Sequence, residues 1–219
     1  MNYAVLKARQ RQERATYPEN ISLRIHRALS WLNRAEQCED DDGRFVFLWI
    51  AFNAAYANEM GEISLNESRQ FTHFLERLVA LDDEQRIYRL IWQQYPSAIR
   101  ILLDNPYVYQ PFWHFHNGRE GYEDWQERFQ QDKASAHRAL GARDTGTVLS
   151  IIFHRLYTLR NQLVHGGATW SSRTNRDQLR DANQILGQLV PIIIELLMSN
   201  AQVYWGEACY PVIENYTFS

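Results

Sequence analysis

From Phe45 to Ala57 the chain carries a single strongly polar residue, Asn53. A helix over Arg44–Ala57 is therefore apolar nearly all round and has no face to offer to water, so it belongs inside other elements. It is also shorter than the roughly 20 residues a bilayer crossing needs. A chain built on such a segment folds as a layer of helices around it, and Asn53 must find hydrogen-bond partners there.

The remaining segments repeat the 3.6-residue period. Leu23, Ile25, Leu29, Leu32 and Ala35 predict a helix from Ser22 to Gln37. Phe71, Phe74, Leu75 and Leu78 predict another after Asn66, and Asp82 to Tyr95 a fourth, ending before Pro96. Helical spacing returns from Gly121 to Leu140. Val148, Ile152, Leu156, Leu159 and Leu163 form the core stripe of a helix over Asp144–Val164, which Gly166-Gly167 closes as a C-terminal glycine cap. A last helix is expected from Thr174 to Ser199, kinked at Pro191. Pro96, Pro106, Pro111, Gly118 and Gly121 mark the stretch 96–121 as an irregular, aromatic-rich insertion. The fold class is thus all-α, an up-and-down helical bundle with that insertion and an N-terminal helical extension. The expected units are a basic extension (1–20), a helical domain (21–200) and a C-terminal tail (201–219).

At 219 residues, 45% apolar and 22% charged, the chain has the composition of a globular protein that needs no disulfide or metal to hold a core. Net charge is −3, which gives no global attraction to nucleic acid or acidic membrane. The charge is unevenly placed: Lys7, Arg9, Arg11, Arg14, Arg24, Arg27 and Arg34 come first, and the acids of Glu36–Asp42 follow as an expected solvated loop. Of 23 basic residues 21 are Arg, which fits either phosphate recognition or a bias of composition. Cys38 and Cys209 lack metal-ligand spacing. No signal-peptide core, membrane span or nucleotide-cofactor motif is visible, so the expectation is a cytoplasmic protein without membrane or cofactor.

Chemistry concentrates at the end of the 144–164 helix, in Leu159-Arg160-Asn161-Gln162-Leu163-Val164-His165-Gly166. Asn161 and His165 are four residues apart and share a face. Arg160 lies about 100° around the helix from Asn161, and all three avoid the core stripe. A histidine at a helix C-terminus is favoured in its protonated form by the helix dipole, a useful setting for proton transfer. An arginine beside it can hold a phosphate.

The apolar helix bearing Asn53 and the later helix ending in Arg160-Asn161-x-x-x-His165 together resemble the HEPN superfamily, and within it the Apea-like branch. The likeness covers roughly Ser22–Ala57 and Asp144–Ser199. It implies catalytic roles for Arg160, Asn161 and His165, with Asn53 as a supporting residue behind them. It also implies metal-independent cleavage of RNA by 2′-OH attack, in a homodimer that brings two motifs together across a two-fold axis. A toxin or antiphage role, with an antitoxin or other protein partner, is implied in the same way. In the branch regulated by a nucleotidyltransferase antitoxin, a tyrosine two positions after the motif histidine is adenylylated; here that position is Gly167.

Other readings of these residues stay open. Arg160 and His165 also suit a surface arginine and a helix cap, in a HEPN module that only binds RNA, nucleotide or a protein, or in a plain scaffold. His114 and His116 have the spacing of two metal ligands without a third. Tyr107, Tyr109, Phe112, Trp113 and Phe115 suit either local packing or the stacking of unpaired bases.

Overall fold

The computed structural model describes residues 1–56, 65–173 and 175–206, with the backbone alone over 65–70. Cys209, Ala57, Thr174 and most of the expected tail lie outside the described residues. Ten α-helices follow one another and, among the described residues, no strand occurs. They are α1 Tyr3–Glu13, α2 Glu19–Glu36, α3 Asp41–Tyr56, α4 Leu65–Ala80, α5 Arg86–Arg89, α6 Pro96–Asp104, α7 Gln110–His116, α8 Trp125–Ala142, α9 Thr145–Val164 and α10 Arg176–Ser199.

The apolar helix α3 is the centre of the bundle. It packs chiefly against α2 and α10 and, on another side, against α9. Helices α2 and α3 form an antiparallel hairpin: Arg24 reaches the carbonyls of Ala55 and Tyr56 at one end, and Trp31 stacks on Phe47 toward the other. Helix α9 also runs antiparallel to α3, since Phe52 stacks on Phe153 with centroids 4.2 Å apart while Trp49 meets both Phe153 and Tyr157. Helix α10 runs parallel to α3, with Asn183 bonded to Asp41 and Arg44 against Gly187 one turn further on. By length and composition α10 is long and apolar enough to cross a membrane, contrary to the sequence-based expectation, but two thirds of its most apolar window is buried inside the bundle.

Several expectations are refined or corrected by the structure. The acidic run is a loop only over residues 37–40. Asp41 and Asp42 form the first turn of α3, where carboxylates complement the exposed N–H groups and the positive end of the dipole. The N-terminal extension is helical, as expected, and it is packed onto the bundle. Helix α1 buries Leu6 and Gln10 against its neighbours, and its Arg9 joins Arg86 of α5 in pairing with Glu195 of α10. The stretch 96–121 is largely helical: α6, a 3₁₀ turn at Pro106–Val108, and α7. Its three prolines all sit at the first or second helical position, where a missing N–H costs nothing, so they start helices instead of breaking them. In the segment expected as a fourth helix, only Arg86–Arg89 is α-helical and a π-helical turn over Leu90–Gln94 follows. The last helix runs without interruption through the buried Pro191.

Arg24 is the least expected member of the core. It is 1% exposed and donates to the carbonyls of Ala55, Tyr56 and Gly206 at 3.0–3.2 Å. It caps the C-terminus of α3 and ties down the segment after α10, whose Trp205 is also buried. The expected tail therefore begins as part of the core. Arg24→Ala should destabilise the fold by about 3 kcal/mol or more, because buried carbonyls lose a charged donor. Arg24→Lys should recover only part of this, a single ammonium being unable to fork across three acceptors. Urea denaturation of the three proteins measures both.

Candidate functional site

Helix α9 delivers the motif. Asp144 caps its N-terminus, accepting the Thr147 N–H at 3.1 Å and the Thr147 hydroxyl at 2.7 Å. Val148, Ile152, Leu156 and Leu159 are buried and Leu163 half-buried, as the stripe predicts. At the other end His165 is the C-cap, Gly166 takes φ +72°, and the N–H groups of Gly166 and Gly167 return to the carbonyls of Leu163 and Gln162. This paired return is a Schellman closure. Gly166 is needed for the left-handed conformation. At Gly167 a Cβ would lie 3.1 Å from the Gln162 carbonyl oxygen, a tight approach that a side chain there would have to relieve.

Arg160 and Asn161 are half-buried and bonded to each other, the guanidinium donating to Asn161 Oδ1 at 3.0 Å. No ion pair to Arg160 is made among the described residues. His165 is exposed, and its ring has no hydrogen-bond partner among the described residues. Arg160 and Asn161 thus meet, and His165 lies at the same open helix end with its ring exposed.

Asn53 does not join them. It is half-buried and not fully enclosed, and its side chain has no hydrogen-bond partner among the described residues. Antiparallel packing of α3 on α9 sets it near the level of Phe153, which is about 18 Å along the helix from His165. The opposite end of α3, with its acids, borders the motif instead. There Asp42, 7% exposed, takes both terminal nitrogens of Arg176 at 2.6 Å, Asp41 holds Asn183, and Asp40 accepts from the Trp170 indole at 3.3 Å.

Two further residues organise the site and were not singled out in the sequence. Gln162, an unassigned position within the motif, donates to the Tyr107 carbonyl at 2.6 Å and accepts from Asn175 Nδ2 at 2.6 Å, so it ties the aromatic segment and the entry to α10 onto α9. Arg155 is 4% exposed and lies over the rings of Tyr109 and Phe129 at 4.5 and 5.5 Å. Burial pulls its guanidinium below its ordinary pKa, and Tyr109, buried and donating to Asp132, is pushed well above the usual phenol range. Hydrophobic periodicity alone assigns Arg155 to the core side of α9, and the cation–π partners come from distant segments.

The His-x-His pair is absorbed by rings. His114 packs on Tyr122 and His116 on Phe112, at 4.5 and 4.2 Å. Burial and Arg119 hold His114 below its ordinary pKa. Among the described residues no three His, Cys, Asp or Glu side chains gather where a metal ion could sit. An apolar cleft of about 440 Å³ lies between Pro106, Trp125 and Phe129, and a polar one of about 370 Å³ at the N-terminal end of α9 beside Thr145; neither is lined by the motif.

The Asp42–Arg176 pair yields a pH-dependent expectation. Arg176 beside it holds the Asp42 carboxyl below its ordinary pKa. Its stabilisation is complete above the unfolded carboxylate value of about 4 and is lost as pH falls through the lower folded value. Asp42→Asn should cost about 2 kcal/mol at neutral pH, and thermal melts of the two proteins should converge as the solution is made strongly acidic. In comparisons with known proteins, the chain matches no family model, no curated protein and no solved structure.

Proposed function

We propose that this protein is a metal-independent endoribonuclease of the HEPN type. The observation that carries the reading is the open end of α9. There Arg160 is bonded to Asn161 and has no carboxylate partner among the described residues, and His165, four residues after Asn161, caps the same helix end with its ring exposed. In this reading Arg160 holds the scissile phosphate and offsets its developing charge, while Asn161 orients the guanidinium. The 2′-oxygen attacks phosphorus and gives up its proton to a neutral His165. The P–O5′ bond breaks and the leaving oxygen takes a proton from a second histidine, leaving a 2′,3′-cyclic phosphate and a 5′-hydroxyl.

One imidazole cannot be base and acid in the same step, so the mechanism needs two motifs facing each other in a homodimer. Supporting a two-fold face here are the apolar side chains that flank the motif in the open: Tyr157, Val164 and Trp170, which are 36%, 48% and 76% exposed. A toxin or antiphage role and an antitoxin partner follow from the resemblance alone. The same exposed side chains favour a second reading, a HEPN module that binds RNA or a protein without cutting.

Purified protein should cut total RNA in EDTA. His165→Ala and Arg160→Ala should each slow cleavage by about 100-fold or more, with circular dichroism unchanged because neither side chain is in the core. A requirement for added magnesium, or a His165 variant as fast as the parent, would refute the catalytic reading in favour of the binding one.

Light scattering should give a dimer at micromolar concentration. Val164→Lys should shift it to monomer. A cation at a helix C-terminus suits the dipole, so loss of assembly would not come from loss of the helix. A parent protein that stays monomeric would count against the two-motif mechanism.

A further inference from the structure

The turn that carries His165 is closed through one residue. The Gly167 N–H returns to the Gln162 carbonyl at 2.7 Å, so the backbone between them, His165 included, forms a ring shut at Gln162. The Gln162 side chain then holds a second point further along the chain, accepting from Asn175 Nδ2 at 2.6 Å. Both residues are half-buried. Other parts of the same connection are referred to the start of α3: the Trp170 indole donates to Asp40, the Ser171 N–H to Asp42, and Arg176 pairs with Asp42. The Gln162–Asn175 bond joins these parts to the end of α9.

The chemistry of each partner suits this bond. The Tyr107 carbonyl, 2.6 Å from Gln162 Nε2, can only accept, so the amide cannot be turned round and Oε1 is left facing Asn175. That carbonyl is fixed in turn by the Trp113 indole N–H at 2.7 Å. Asn175 stands at φ +59°, a left-handed conformation that glycine adopts freely and that asparagine tolerates better than most side chains. Its carbonyl accepts the Leu179 N–H at 2.8 Å as α10 begins. Asparagine therefore fits this backbone and also carries a donor to Gln162, which glycine and an ionised aspartate do not.

We propose that the Gln162–Asn175 amide pair is a clamp that positions His165 for proton transfer. The proposal rests on the ribonuclease reading for the role of the histidine. With its ring exposed, His165 is placed by its backbone, and that backbone is placed by Gln162. A proton-transfer group must lie within hydrogen-bond reach of the oxygen it serves, and small displacements cost rate steeply. Arg160 belongs to α9 itself, before the turn, so its hold on a phosphate does not depend on the clamp. Gln162 and Asn175 are positioning residues: they act through the turn and need not touch the substrate.

The test pairs amide hydrogen exchange at Gly166 and Gly167, followed by NMR, with cleavage kinetics on a short RNA in EDTA. Asn175→Gly keeps the left-handed backbone and removes only the donor, so the fold should survive, which circular dichroism checks. Its Gly166 and Gly167 amides should exchange faster than the parent's, and kcat should fall about tenfold or more with KM within about twofold. Gln162→Leu cuts both side-chain ties and should do the same. Gln162→Glu loses the donor to Tyr107 but keeps the acceptor for Asn175, and should recover most of the exchange protection and rate that Gln162→Leu loses. Should Asn175→Gly exchange and cut like the parent, the clamp is wrong while the ribonuclease stands. Should exchange quicken with kcat unchanged, the pair holds the turn without positioning the histidine, and the proposal falls. Should the parent cut no RNA, the catalytic reading falls and the positioning role with it, while the exchange rates still show whether the amide pair holds the turn. A loss confined to KM, or a Gln162→Glu variant no better than Gln162→Leu, also overturns the clamp.

Discussion

Everything in this bundle is arranged around the burial of α3. A helix that is apolar on all sides hides its side chains easily, but its ends still present unbonded N–H and C=O groups and the two poles of a dipole. The structure answers with opposite charges. Asp41 and Asp42 lie in the first turn, and Arg24 receives the final carbonyls. Each of these charges then needs a partner of its own. Asp42 recruits Arg176 at the start of α10, and Arg24 recruits the Gly206 carbonyl beyond its end. The two termini of α10 are thereby set by the two termini of α3, and the parallel packing of these helices follows.

The same constraint brings α9 to its place. Trp49 and Phe52 need aromatic cover on the side that α2 and α10 leave open, and Phe153 and Tyr157 supply it in antiparallel order. The chain must turn from the end of α9 into α10 within a short distance of the acidic start of α3. The Schellman closure at Gly166 makes that turn, and it leaves Arg160, Asn161 and His165 at a helix end that is open to solvent.

Much of this could be read from the residues in order. The helix class, the α9 stripe and the glycine closure all follow from local period and backbone preference, and the structure agrees with them. The failures share a cause. Asn53 invites a role beside the motif because both are polar marks on apolar helices, yet the antiparallel arrangement that sets it near the middle of α9, away from His165, is a property of pairing, which periodicity does not encode. Arg24 reads as one more cation in the basic N-terminal part of the chain because its three acceptors come from residues 31 to 182 positions away. Pro96, Pro106 and Pro111 read as breakers because the sequence does not say on which side of each proline the helix lies. Gln162 was invisible for a related reason: its two bonds go to Tyr107 and Asn175, and neither is near in sequence to a recognisable motif.

Gln162 also bears on how such motifs are written down. A pattern of the form Arg-x-x-x-x-His treats the intervening positions as interchangeable. In this chain one of them is a double-ended amide that ties the Tyr107 segment and the start of α10 onto α9, and a leucine there would satisfy the pattern while cutting both ties. The tolerance of the four spacer positions to substitution should therefore be sharply uneven. The information that defines the site extends beyond the residues that give the motif its name.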